Sequence, residues 1–317
     1  MEQKYMKFNI CFSLILIIIL FYNCDGNSID LDDVFSHMPS DSLLEISTYD
    51  SSNQVVHPDI LLSNDIFYLA ITPYPYSNDY YENPCLYSST DGMNFLSCVS
   101  NPLVPTPLYD HNCDPDIFMD DNKICICYLE TMRPDSNNVI LLQETKSLTF
   151  NKSTIVHYDT QAGDKIILSP SIVRDQNQYF MFYMYDYKIE YLTSTDLHSW
   201  DKSNPQVINI SLPDSYRCWH VDVFKAQDAE EYCMLLHGYD GPYAYSITYA
   251  TSTNLTDWNI MGVVVNKDNI PDENARYVYR STGIVNGNTL VVWYSYRTFD
   301  NKWKLGLKKV DLTTLTN

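Results

Sequence analysis

A chain of 317 residues with 27 Tyr, nine Gly and 45% hydrophobic residues is long enough for one large all-β domain and too apolar to stay disordered. Twenty basic against forty acidic residues leave a net charge of −20, which excludes nucleic acid and anionic lipid surfaces as partners and favours neutral or cationic ones. The sequence holds no Gly-rich phosphate loop, HExxH motif, spaced CxxC pairs or nucleophile elbow.

Lys4 and Lys7 precede an apolar run from Ile10 to Tyr22, which is short for a membrane span and has the length of a signal-peptide core. Residues 1–24 therefore read as an export signal, with Cys24 as the site of a lipid anchor or the run retained as an uncleaved one. Residues 25–42 read as a linker and 43–317 as a single domain. This places the protein outside the cell or in the cell envelope, as a monomer that meets membrane only through a lipid on Cys24. Sequons at Asn151, Asn209 and Asn254 matter only in a eukaryotic source.

Without Cys11 and Cys24, seven cysteines remain, an odd number that argues against a fully paired framework. In "CLYSSTDGMNFLSC" a two-residue turn at Asp91-Gly92 would set Cys85 opposite Cys98 in a non-hydrogen-bonded pair, a geometry open to a disulfide in an oxidising compartment. Cys125 and Cys127 share a strand face and read as packed thiols.

Two phrases recur along the rest of the chain. "SSTDGMNF", "ETKSLTF", "TSTDLHSW" and "TSTNLTDW" close at Phe95, Phe150, Trp200 and Trp258. "HPDI", "DPDIF", "SPSIV", "HVDVF" and "STGIV" open at Ile60, Ile117, Ile172, Val223 and Ile284, in step with them. Between opener and closer lie β-rich runs, so each repeat supplies about four strands. Five such repeats predict a five-bladed β-propeller of four-stranded antiparallel blades, with the openers as innermost strands. "LLEIST", residues 43–48, has no partner in the first repeat and would complete the last blade.

Side chains two apart on a strand share a face, so the openers would line an axial funnel with His57 and Asp59, Asp114 and Asp116, Ser169 and Ser171, His220 and Asp222, then Ser281 and Gly283. Loops between the second and third strands would rim the mouth where the inner strands begin. They are rich in Tyr, Asp, Glu, His and Arg. Aromatic faces that stack sugar rings and polar groups that bond hydroxyls make this a carbohydrate-site composition. Tyr74, Trp219, His237 and Arg280 join His57, Asp114 and His220 as candidate substrate contacts.

The openers and closers, with "TPYP", "YENPC" and "YRSTGIV", resemble the five-bladed propellers of glycoside hydrolase family 43 and its secreted bacterial and phage relatives, over about residues 50–310. That resemblance implies inverting hydrolysis of a glycosidic bond, with an Asp base on blade one, an Asp on blade two that tunes and orients, and a Glu acid on blade three. Asp116 matches the blade-two position. On blade one the family's Asp precedes Pro, whereas here His57 precedes Pro58 and Asp59 follows it. On blade three the Glu is missing from "ILSPS", residues 167–171.

Hydrolysis still needs a proton donor, since the leaving oxygen must be protonated while a carboxylate activates water on the opposite face. The expected set is Asp59 as base, Asp116 as modulator, and Asp222 or Glu82 as acid, acting on a neutral oligo- or polysaccharide without a cofactor. Two readings compete with it. The aspartates could solvate the channel or hold a structural calcium ion, and the missing Glu would suit a glycan-binding propeller without turnover.

Overall fold

The computed structural model describes residues 29–213, 216–240 and 244–315. The stretch read as an export signal, residues 1–24 with Cys11 and Cys24, lies outside them. Twenty strands form five four-stranded antiparallel sheets, as the repeats predict. Blade one holds β2 (Val55–Ser63), β3 (Ile66–Pro73), β4 (Cys85–Ser89) and β5 (Leu96–Ser97); blade two holds β6 (Asn112–Asp120), β7 (Lys123–Met132), β8 (Ser136–Lys146) and β9 (Thr149–Asp159). Blade three holds β10 (Leu168–Asp175), β11 (Gln178–Tyr185), β12 (Lys188–Ser194) and β13 (Gln206–Ile208). Blade four runs from β14 (Arg217–Lys225) through β15 (Tyr232–Asp240) and β16 (Ala244–Ser252) to β17 (Asn259–Asn266).

Blade five consists of β18 (Ala275–Asn286), β19 (Thr289–Thr298) and β20 (Trp303–Asp311), completed by β1 (Asp41–Leu44) from the other end of the chain. Leu44 faces Leu305 and Asp41 faces Lys308, whose Nζ reaches the Asp41 carboxylate at 3.0 Å. The closing strand thus starts two residues before the expected segment and ends within it. The stretch read as a linker carries a short helix, α1 (Leu31–His37), capped by Asp30; its Leu31 and Phe35 pack against Phe67 and Trp293 between blades five and one.

Three of the four closing phrases share one turn, whereas "ETKSLTF" makes a two-residue turn at Ser147-Leu148 between the paired Lys146 and Thr149. Ser89, Ser194 and Ser252 each bond Asp91, Asp196 or Asn254 two residues on, and the next residue is left-handed: Gly92 at φ 68°, Leu197 at 66°, Leu255 at 65°. Trp200 and Trp258 bond the carbonyls of Leu197 and Leu255 and pack between blades. At Gly92 a side chain would meet Met38 at 2.6 Å. This turn spans more than two residues, so Tyr87 pairs with Ser97 and Ser88 with Leu96. The register is one residue off the expected one. Cys85 is buried, Cys98 instead reaches the Leu86 carbonyl, and both are free thiols, because a one-residue slip turns alternate side chains to opposite faces.

The inner strands β2, β6, β10, β14 and β18 have an edge with no strand beside it, and side chains from the preceding blade bond its amides. Asp59 accepts from the Ile117 amide, Asp116 from Ile172 at 3.0 Å, Ser171 from Val223 at 2.9 Å, and Thr282 from Ile60 at 3.1 Å. The polar opener positions therefore serve as fasteners around the axis. Loss of one acceptor leaves a buried amide unsatisfied, which costs about 1–3 kcal/mol. Ser171→Ala is expected to lower stability by about that amount in urea denaturation with the fold retained; an unchanged midpoint would show that water replaces the hydroxyl.

Candidate functional site

Each inner strand carries an irregularity near its start, between Val56 and Asp59, Cys113 and Asp116, Leu168 and Ser171, Cys218 and His220, and Val278 and Ser281. His57, Asp114 and Ser169 there have φ of 53°, 52° and 50°, and each precedes a proline. His and Asp enter this left-handed region more readily than most residues. Such bulges re-aim side chains, and they split the polar openers into two levels along the axis.

The inner level holds Asp59, Asp116 and Asp222. All three are buried, and one carboxylate oxygen from each lies within 4.8 Å of the others. Burial, then mutual repulsion, raises Asp59 well above the carboxylate range. Burial and the Asp222 charge push Asp116 up to about 7; burial pushes Asp222 up to about 6, against the pull of Arg280. Inverting hydrolysis wants carboxylates roughly 6.5–9.5 Å apart with a water between them. These three are close enough to share protons instead. They face a cavity of about 310 Å³ on the side away from the mouth, lined by Phe118, Ile172, Arg174, Phe224 and Ile284.

The outer level, toward the mouth, is an imidazole–carboxylate cluster. His57 Nε2 lies 3.3 Å from Asp114 Oδ1, and its Nδ1 lies 3.5 Å from Glu82 and 3.1 Å from Thr72 Oγ1. His220 Nδ1 is 3.8 Å from Asp114 and within hydrogen-bond reach of Ser169 Oγ, and its Nε2 has no hydrogen-bond partner among the described residues. The Ser169 amide donates to Asp114 Oδ2 at 2.9 Å. Arg280 joins the levels, with Nη1 3.3 Å from Asp114 and Nη2 3.6 Å from Asp59.

Burial opposes ionisation of Asp114, but His57, His220, Arg280 and the Ser169 amide outweigh it and hold its carboxyl well below the usual range. Glu82 goes the other way: burial and the Asp114 charge raise it well above that range. Burial lowers His57 to about 4 and His237 to about 3, and takes His220 well below the ordinary imidazole value. The cluster at neutral pH is an anionic Asp114, neutral imidazoles and a Glu82 biased toward its acid form.

Sequence reasoning missed His111 and Asp110. They lie in the loop before β6, outside the strand alternation, and the only signal was their nearness to Asp114. His111 Nε2 lies 3.3 Å from Glu82, while its Nδ1 is bonded by Asp110, which Arg133 clamps through Nε at 2.6 Å. Tyr279 was missed too; its ring stands 5.7 Å from His57 and 4.5 Å from His220. Trp219 is 5.6 Å from Tyr187, His237 stacks on Tyr245 at 5.3 Å, and Tyr74 is 5.7 Å from Trp303. Of the two expected opener residues on blade five, Gly283 lines the cavity away from the mouth.

Among the described residues, two groups offer three donors within 4.8 Å of one another and could hold an ion: Asp79, Asp110 and His111 near the mouth, and the inner Asp59, Asp116 and Asp222. The inner carboxylates offer only oxygen, as calcium prefers, but Arg280 already brings a positive charge to them.

No family model matches this sequence, and no curated protein matches it. Among solved structures it is similar to an N-acetylgalactosamine deacetylase from F. plautii in complex with blood group B trisaccharide: TM-score 0.73, 18% identity, 86% of this chain and 96% of that one. It is also similar to the catalytic domain of a Coprinopsis cinerea GH62 α-L-arabinofuranosidase, with TM-score 0.62, 12% identity and coverage of 84% and 94%. A thermostable family-43 glycoside hydrolase matches with TM-score 0.56, 15% identity and coverage of 81% and 88%. At these identities the likeness establishes the shared five-bladed fold.

The two levels titrate in opposite senses. Folding raises Asp116 and Asp222, so their contribution to stability is full below their unfolded values near 4 and is lost as pH rises through about 6 and 7. Folding lowers His57, so its contribution is full above about 6.5 and is lost as pH falls toward about 4. Asp116→Asn stays neutral throughout. Its Tm is expected to gain on that of the parent between about pH 5 and about pH 8; a gap that is constant or moves the other way would show that Asp116 ionises freely in the folded chain.

Proposed function

We propose that the protein is a carbohydrate-acting hydrolase whose chemistry runs at the mouth of the propeller, in a secreted or envelope-held protein. The observation that carries this reading is the convergence of Glu82, His57, His111, Asp114 and His220 in one cluster beside a wall of aromatic rings. The wall offers faces for sugar rings. Beneath it, a neutral imidazole is placed to take a proton from water, and a raised Glu82 is placed to give one.

For a glycosidic bond, His220, whose Nδ1 lies 3.8 Å from Asp114 and whose Nε2 has no hydrogen-bond partner among the described residues, would take a proton from water as its oxygen bonds the anomeric carbon. The carbon–oxygen bond then breaks, and the Glu82 proton goes to the leaving oxygen. Likeness to arabinofuranosidase and family-43 folds supports this version, with inversion. Of the four carboxylates expected to be catalytic, Glu82 alone belongs to the outer cluster; we assign Asp59, Asp116 and Asp222 to holding the axis.

A second version has a specific observation behind it. Ser169 and Ser171 stand on blade three where a glycosidase of this fold would offer its acid, and the imidazole-rich cluster suits attack of water on an acyl carbon. The carbon–nitrogen bond of an N-acyl sugar would then break, with the Glu82 proton going to the amine. Likeness to the deacetylase supports this version.

One assay separates them. Incubation with a panel of plant, microbial and host glycans, read for both new reducing ends and free acetate, identifies the bond. Asp114→Asn is expected to lose about 10²–10⁴-fold in kcat, while Asp116→Asn keeps most of the activity near pH 6, where the parent carboxyl is already largely protonated. The reverse ranking would move the chemistry to the inner aspartates. Binding without release of either product would make the protein a glycan-binding propeller.

A further inference from the structure

Charge is distributed unevenly in this acidic chain. It has six arginines. Arg174 lines the cavity away from the mouth; Arg133, Arg217, Arg276, Arg280 and Arg297 stand on the mouth side, at or near the strand ends there. Arg133 and Arg280 are committed to Asp110, Asp59 and Asp114. Arg217 and Arg297 have no carboxylate partner among the described residues.

Both lie against the aromatic wall. Arg297 Cζ stands 5.6 Å from the Trp303 ring and Nη1 donates to Tyr277 Oη at 3.1 Å, while Nε is buried with no hydrogen-bond partner. Arg217 Cζ stands 4.9 Å from the Tyr187 ring. Each is reached from a catalytic-cluster imidazole through two rings: His57, Tyr279, Trp303 to Arg297 and His220, Trp219, Tyr187 to Arg217.

We propose that the sugar bound at the mouth carries an anionic substituent, a carboxylate or a sulfate, held by Arg297 with Arg217 as a second point of contact. The inference rests on the reading of the mouth as a carbohydrate site and names the charge class of its ligand. A guanidinium packed against a ring has fewer conformations left to lose, so its planar fork meets an oxyanion at little further entropic cost. The net charge of −20 does not oppose this, because exposed charges beyond about 8–10 Å are screened at ordinary ionic strength. What governs binding is the local field, and a buried guanidinium nitrogen without a partner is unsatisfied until an acceptor arrives.

Titration calorimetry with two matched pairs tests it: oligogalacturonate against its methyl ester, and chondroitin sulfate oligosaccharides against their desulfated forms. At least one charged member is expected to bind about tenfold tighter than its neutral partner. The advantage should shrink in high salt and fall to about twofold or less in Arg297→Gln, with Arg217→Gln showing a smaller loss. Discrimination in the first pair alone identifies a carboxylate, and in the second alone a sulfate. Equal binding within both pairs overturns the inference, as does turnover of a neutral glycan with neither charged member bound. If no glycan is bound or turned over, the reading of the mouth fails, and this inference with it.

Discussion

The propeller depends on hydrogen bonds that run between blades rather than within them. An innermost strand pairs on one side only, and its other edge faces the axis, where no sixth sheet exists to satisfy it. Asp59, Asp116, Ser171 and Thr282 reach across to backbone amides of the next blade. A short acceptor is needed at each place. Asp, Ser and Thr fit because only one or two carbons separate the backbone from the accepting oxygen.

This fastening has an electrostatic cost, and Arg280 offsets it. The inner level brings three carboxylates, those of Asp59, Asp116 and Asp222, within 4.8 Å of one another, which is unfavourable when all are charged. A single buried guanidinium against Asp59 and Asp114, with protons retained on the raised carboxyls, brings the axis near neutrality. The same Arg280 holds Asp114 ionised. The inner and outer levels meet in one side chain, since Arg280 stands 3.6 Å from Asp59 at one and 3.3 Å from Asp114 at the other.

Much of this was legible beforehand because repetition is a one-dimensional property. Five openers and four closers at similar intervals identify the number of blades, and strand order follows from antiparallel meandering. The expected partner for the last blade is supplied by the N-terminal end, since ring closure is the only way to pair it. The Asn64-Asp65 turn, with φ of 49° and 63°, shows the same economy: two residues that tolerate left-handed backbone join β2 to β3. The six-residue turn between β4 and β5 does not show it, and the Cys85–Cys98 pairing failed there for want of one residue of register.

The site was legible only in part. Composition and alternation pointed to His57, Asp59, Glu82, Asp114, Asp116, His220, Asp222 and Arg280, and the structure gathers all of them around the axis. Alternation treats positions two apart as equivalent, however, and a bulge with left-handed backbone at His57 and Asp114 makes them different: Asp59 and Asp116 stand at the inner level, while His57 and Asp114 join the cluster toward the mouth. His111 entered from a loop whose path no periodicity describes. What the sequence determined by itself is the count and order of the blades and the identity of the polar inner positions, because these repeat along the chain. The tertiary structure alone decided the depth of each carboxylate and which imidazole it meets, because those depend on backbone irregularities and on contacts between residues separated by 50 or more positions.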